Sequence, residues 1–162
     1  MKRTLSITTI GALVIAISTL SAPPSRQAQL TLTAAYPYSL NIIVTPTDEA
    51  YSLDLETGAN QVKVADVIEK CNWPRGYEVW AYSQNGGLKH ESGQQVVPYV
   101  MYYGDVIDVP SEDMGQESQL LVNAPNTRGT VSREIKVTID PQSNIPEGDY
   151  TDTITFTIVA KN

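Results

Sequence analysis

Glu134-Ile135-Lys136-Val137-Thr138-Ile139-Asp140, then Pro141 to Asp149, then Tyr150-Thr151-Asp152-Thr153-Ile154-Thr155-Phe156-Thr157-Ile158-Val159-Ala160 is the stretch that decides the fold. Both runs alternate strictly, and successive side chains of a strand point to opposite faces. Ile135, Val137 and Ile139 therefore share one face, as do Ile154, Phe156 and Ile158, and both faces want a common core. Thr151, Thr153, Thr155 and Thr157 take the opposite face, where a β-branched side chain favours extended backbone and its hydroxyl meets water. Ile145-Pro146-Glu147-Gly148 offers Pro at the second turn position, with φ preset, and Gly at the fourth. The expectation is a pair of strands around a turn, a hairpin, in a secreted β-domain.

At the other end of the sequence, Lys2 and Arg3 precede an uncharged apolar run from Ile7 through Leu20, with small residues Ser21 and Ala22 after it. That plan predicts a secretory signal peptide over residues 1–22. A membrane anchor is disfavoured, because Thr8, Thr9, Gly11, Ser18 and Thr19 interrupt a run shorter than the ~20 apolar residues of a spanning helix. Cleavage after Ser21 or Ala22, or later at Ala28, leaves a chain with no second apolar segment, so no membrane insertion is expected after it.

The 162 residues less this leader make one domain's worth of chain, enough to bury roughly two thirds of its unfolded surface in a single core. Cys71 is the only cysteine, so no internal disulfide is available, whereas small exported domains lacking a core are usually rich in them. Losing Lys2 and Arg3 with the leader takes the formal net charge from −7 to about −9. Such acidity disfavours nucleic acid and anionic membrane surfaces as partners.

No amphipathic helix of useful length is visible, and strand signals alternate with turn signals throughout. Predicted strands cover Gln29 to Ala34, Leu40 to Thr45, Tyr51 to Leu55, Gln61 to Ile68, Gly76 to Ser83, Val96 to Tyr103, Val106 to Val109, Gln119 to Asn123, Val131 to Asp140 and Asp149 to Ala160. Val62 to Lys70 would also accommodate two turns of helix; its β-branched residues and the Asn72-Trp73-Pro74-Arg75-Gly76 break favour strand. Asn85-Gly86-Gly87, Asp113 to Glu117 and Asn123 to Gly129 read as loops. Short strands at this spacing predict an all-β chain, an antiparallel β-sandwich with Greek-key connections.

The segment Ile145 to Ile158, with Pro146, Gly148, Tyr150, Asp152 and Thr153 ahead of an alternating apolar run, resembles the closing strand of spore coat protein U-like domains. Those domains occur in subunits of bacterial pili assembled by the chaperone/usher route. Glu69 to Val79, Ser83 to Leu88 and Pro98 to Tyr103 are similar to the middle of fimbrial subunits of that broad type. The resemblance implies an immunoglobulin-like sandwich that lacks its last strand, the open groove of each subunit being filled by an extension of the next through β-strand addition. A candidate extension follows the Pro-rich start at Pro23-Pro24-Ser25-Arg26: Ala28, Leu30, Leu32 and Ala34, with Tyr36 beyond, alternate with Gln29, Thr31, Thr33 and Ala35. Residues 23–37 would then be the extension and 38–162 the sandwich, with Ile154, Phe156 and Ile158 as the groove and chaperone contact. The same alternation fits an ordinary first strand paired within its own sheet, and alternation alone does not choose between them. Pro37 predicts a joint before Leu40. Many relatives carry a disulfide that this chain cannot form.

Catalytic patterns are thin. His90 is the only histidine and sits between Lys89 and Glu91, in a segment that reads as solvated surface. Cys71 ends an apolar strand, where a lone thiol usually behaves as a small buried hydrophobe. One Cys and one His cannot close a zinc site, Asp105-Val106-Ile107-Asp108 lacks calcium-loop spacing, and no Gly-rich phosphate loop opens a helix. No cofactor, no metal and no catalytic residue are assigned. Trp80 and Tyr82 should share the face opposite Tyr77, Val79 and Ala81, and with Tyr102 could form an adhesive, carbohydrate-stacking patch.

The expectation is thus a non-enzymatic structural subunit of a surface fimbria, polymerised by strand exchange. Its partners would be copies of itself or related pilin subunits, a periplasmic chaperone and an outer-membrane usher, and its route the periplasm and then the cell surface. The alternatives are a monomeric secreted or periplasmic binding module of the same fold and, third, an enzyme.

Overall fold

The computed structural model describes residues 29–162 apart from Val106, and for Ile107 the backbone alone. The expected signal peptide, the Pro-rich start and Ala28 lie outside the described residues. The chain divides into two units between Ala35 and Tyr36, and every described strand belongs to the second, Tyr36–Asn162.

Among the described residues eleven strands form in chain order: β1 Leu40–Pro46, β2 Ala59–Cys71, β3 Gly76–Ser83, β4 Leu88–His90, β5 Val96–Val97, β6 Val100–Tyr103, β7 Ile107–Pro110, β8 Gln119–Pro125, β9 Gly129–Ile139, β10 Tyr150–Thr151 and β11 Ile154–Ala160. All pairings are antiparallel. One sheet runs β1-β2-β9-β6-β7, a second β11-β3-β8, and a small third β10-β4-β5. The chain is all-β, as its alternation predicts.

The inward faces of the first two sheets share one core. Val67 of β2, Val79 of β3, Met101 of β6, Leu121 of β8 and Val137 of β9 are all buried there. Between the sheets Tyr103 meets Phe156, ring centroids 6.0 Å apart. The predicted faces hold: Ile135, Val137 and Ile139 point inward, as do Tyr77, Val79 and Ala81, while Thr151, Thr153, Thr155 and Thr157 are exposed.

The hairpin expected for the deciding stretch does not form. β9 pairs with β2 and β6, whereas β11 pairs with β3 in the other sheet. Their apolar faces do meet one core, but from opposite sides, because residues 140–149 carry the chain from one sheet to the other. Gln142 N–H is held by Leu55 O at 2.8 Å on the way.

Other expectations are corrected locally. Gln29 to Ala34 forms no strand, and Tyr51 to Leu55 gives a 3-10 turn, Asp48–Tyr51, followed by irregular chain. The strand expected over Val96 to Tyr103 breaks at Pro98, which has no N–H for the ladder. There Tyr99 N–H bonds Ser111 Oγ at 3.0 Å and Ser111 N–H bonds Tyr99 O at 2.8 Å. The polar loop expected over Asp113 to Glu117 lies largely in a short helix, α1 Ser111–Gln116, anchored by buried Ser111 and Met114. Val62 to Lys70 is strand, not helix.

The β2–β3 turn depends on Gly76, whose φ is +82° and whose added Cβ would lie 1.9 Å from Ala124 O. Neither the dihedral nor the neighbouring backbone can accommodate a side chain. Gly76→Ala is expected to cost about 2–3 kcal/mol, read as a lower urea midpoint at unchanged m-value.

Candidate functional site

The sheets β1-β2-β9-β6-β7 and β11-β3-β8 each end, on the same side of the core, in a strand paired along one edge only. β1 is the last strand of the five-stranded sheet and β11 the last of the three-stranded one. Leu40 pairs with Cys71 and Ala160 with Tyr77, on either side of the short β2–β3 turn, so the start of β1 and the end of β11 lie together and the two strands run antiparallel. The outer backbone edges of both have no strand partner among the described residues.

Side chains along this line are unlike those of the interior. Leu40, Ile42 and Val44 of β1, and Ile154, Phe156 and Ile158 of β11, pack against the core yet are only partly buried. Val67, Val79 and Met101, on inner strands, are fully buried. Between the two edges lies an apolar cavity of about 250 Å³, walled by Val44, Leu53, Leu88, Ile154 and Phe156 and floored by Val137. At its upper end it meets a larger recess of about 690 Å³, between Tyr51 to Leu55 and Ile145 to Asp152, with Leu53 and Leu88 common to both.

Each end of the line is built differently. At the lower end Trp73 bridges the strands: its Nε1–H donates to Lys161 O at 2.8 Å, and the Tyr38 ring stands edge-on to it at 4.4 Å. Asn72 Nδ2 donates to Pro37 O at 2.9 Å. At the upper end the anchor is Asp152, which explains why β10 and β11 are separate strands. One carboxylate oxygen accepts the hydroxyls of Ser83 and Tyr99, both at 2.7 Å; the other accepts the N–H of Asn85 at 3.1 Å and of Thr153 at 2.8 Å. Burial, then the Asp152 hydrogen bond, raises the Tyr99 hydroxyl far above the ordinary tyrosine range, so it stays a donor.

Neighbouring residues of the motif have equally local reasons. Gly148 adopts φ +146°, and a Cβ there would lie 2.4 Å from His90 Nε2. Tyr150 Oη donates to Pro146 O at 2.9 Å, and its ring stands 4.8 Å from that of His90. His90 is therefore buried, not solvated surface as its charged neighbours suggest. Its Nε2 lies 3.1 Å from Glu147 O, an acceptor only, so the hydrogen sits on Nε2; Nδ1 then accepts from Ser92. Both ring nitrogens are thus engaged in hydrogen bonds, and that of Nε2 ties the β4 end to the 145–150 segment. Cys71 is buried at the β2–β3 turn, where its Sγ accepts from Trp73 N–H, at the opposite end of β11 from His90. Among the described residues no three His, Cys, Asp or Glu side chains gather as a metal site, and no helix is long and apolar enough to cross a membrane.

Of the candidate extension, Leu30 and Leu32 are 83% and 85% exposed, Ala34 is exposed, and none lies in a strand. The aromatic patch does not assemble. Trp80 and Tyr82 share the outer face of the β11-β3-β8 sheet, but Tyr102 lies on β6 of the other sheet, with Met101 and Tyr103 pointing inward beside it. Ile42, Val44, Leu53 and Leu88, the wall opposite β11, are the groove residues that sequence reasoning missed. Comparison with family models, curated proteins and solved structures finds no match.

Proposed function

We propose that the chain is an exported, non-enzymatic structural subunit of a bacterial surface fimbria, an immunoglobulin-like Greek-key sandwich lacking one strand and polymerised by donor-strand exchange. One observation carries this reading: the facing, unpaired edges of β1 and β11, with half-buried apolar rows and an open cavity between them. Unpaired edges of this kind are aggregation hazards unless something covers them. An added strand would satisfy the free backbone groups and place alternate side chains in the cavity. The segment from Gln29 to Tyr36 has that alternation, and its leucines are exposed. Burying each leucine is worth roughly 1.5–3 kcal/mol before the cost of ordering the segment. On this reading the subunit, exported by its signal peptide, passes through the periplasm with a chaperone and usher as transient partners before it reaches the surface.

The mature chain is expected to form concentration-dependent polymers, visible by light scattering and electron microscopy. Leu32→Asp should leave a folded monomer that no longer elongates. A wild-type chain that remains monomeric at every concentration would favour the second reading, a binding module, for which Trp80, Tyr82 and Leu120 on one outer sheet face are the supporting observation.

A further inference from the structure

Lys161, Asn123 and Glu78 meet on the outer side of the three-stranded sheet. Glu78 of β3 is paired directly with Asn123 of β8 and with Val159 of β11, and Lys161 follows two residues later. Lys161 Nζ lies 2.5 Å from Asn123 Oδ1 and 3.5 Å from Glu78 Oε1. The Lys161 backbone is pinned on both sides: its N–H donates to Gly76 O at 3.1 Å, and its carbonyl accepts from Trp73 Nε1–H at 2.8 Å. Three quarters of the Lys161 side chain and nearly as much of Glu78 are withdrawn from solvent. The Lys161 amine thus touches both the Asn123 carboxamide and the Glu78 carboxylate, which stand on directly paired positions of β8 and β3.

We propose that Lys161 and Asn123 become joined by an intramolecular isopeptide bond, with Glu78 as the proton carrier. Glu78 takes a proton from the Lys161 ammonium, and the neutral Nζ attacks Asn123 Cγ. The Nζ–Cγ bond forms, the Cγ–Nδ2 bond breaks, and the carbonyl is restored. Of the three protons on the ammonium, one stays on the new amide nitrogen. The other two pass by way of Glu78 to Nδ2, which leaves as ammonium while Glu78 returns to carboxylate. No oxidant or co-reactant is needed. Asn123 is exposed, giving the leaving nitrogen a path to solvent. Fixing Asn123 on β8 and pinning the Lys161 backbone directly after β11 supplies the proximity that makes an otherwise slow aminolysis feasible. The product would tie the end of β11 to β8 across β3, clamping the sheet that bears one wall of the groove; it stands on residues outside that groove and does not depend on the fimbrial reading.

Mass spectrometry of the full purified chain tests this. The expected result is a mass lower by one ammonia, with a branched tryptic peptide joining residues 90–128 to 137–162 because Lys161 is no longer cleaved. Lys161→Arg, Asn123→Ala and Glu78→Gln should each fold, by circular dichroism, and retain the full mass. An uncross-linked wild-type chain would overturn the proposal, as would an ammonia loss mapped to a succinimide at Asn85-Gly86 or to a cyclised amino-terminal glutamine. A cross-link that survives in full in Glu78→Gln would overturn the role given to Glu78.

Discussion

A chain beginning at Tyr38 is expected to lose self-assembly, to aggregate through its open edges, and to be rescued in trans by a peptide covering Gln27 to Tyr36. The physical basis is mass action: a ligand that binds only the folded domain stabilises it by about 2.7 kcal/mol at a hundred times its Kd. For a domain of this size that corresponds to a rise in Tm of about 10 °C. Leu30→Asp with Leu32→Asp in the peptide should abolish the shift, since each places a charge where an apolar wall offers it no partner. Phe156→Asp in the domain should do the same from the other side. Calorimetry of the shortened chain, alone and with each peptide, reads all three arms. If the shortened chain is as stable and monodisperse as the full one and ignores the peptide, strand addition is not how this protein works.

The groove was half legible in the sequence. Ile154, Phe156 and Ile158 announce an inward face by alternation, and that face is where the structure has it. Alternation is silent about partners, however, because any antiparallel neighbour satisfies a period of two. That is why β9 and β11 read as a hairpin while they pair in different sheets. One clue was available: hairpin loops usually take two to five residues, and the Pro141 to Asp149 connection is longer. The opposite wall was harder, since Leu53 and Leu88 enter it from irregular chain and a three-residue strand that leave no periodic signal. Tyr102 failed to join Trp80 and Tyr82 for the same reason as the hairpin, a face assignment without a sheet assignment. His90 was misread because charged neighbours on alternate positions say nothing about the residue between them, which points inward to Tyr150.

Glu69 presents a further conflict that the sequence states openly, a carboxylate between Val67 and Cys71 on the inward face of β2. All three are buried, Glu69 completely. The structure resolves the conflict with donors from three other strands. Tyr77 Oη bonds one oxygen at 2.6 Å; Tyr103 Oη at 2.6 Å and Arg133 Nε at 2.9 Å bond the other. These contacts run between the two sheets, because Tyr77 belongs to β3 while Tyr103 and Arg133 lie on β6 and β9. Removing Glu69 alone would strand two buried hydroxyls and a partly buried guanidinium. Glu69→Ala is expected to cost about 3–5 kcal/mol, the range for breaking a buried ion pair from one side. That is a large share of the roughly 5–15 kcal/mol holding a typical domain together. The same network makes the fold sensitive to base. Burial first, then the Glu69 hydrogen bond, pushes the Tyr77 and Tyr103 hydroxyls well above their ordinary range, and burial with Asp152 does so for Tyr99. Their contribution is fully present below about pH 10, where unfolded tyrosine ionises, and is lost as pH rises toward the folded values. With three such groups the slope reaches roughly 4 kcal/mol per pH unit, so cooperative unfolding should set in within about two units above pH 10. Tyr77→Phe with Tyr103→Phe should flatten that slope to what Tyr99 leaves, even though it lowers stability at neutral pH by leaving buried Glu69 with Arg133 as its one remaining donor among the described residues. A denaturation series in urea from pH 7 to about 12 separates the two effects, and an unchanged alkaline slope in the double variant would show that these buried hydroxyls do not control it.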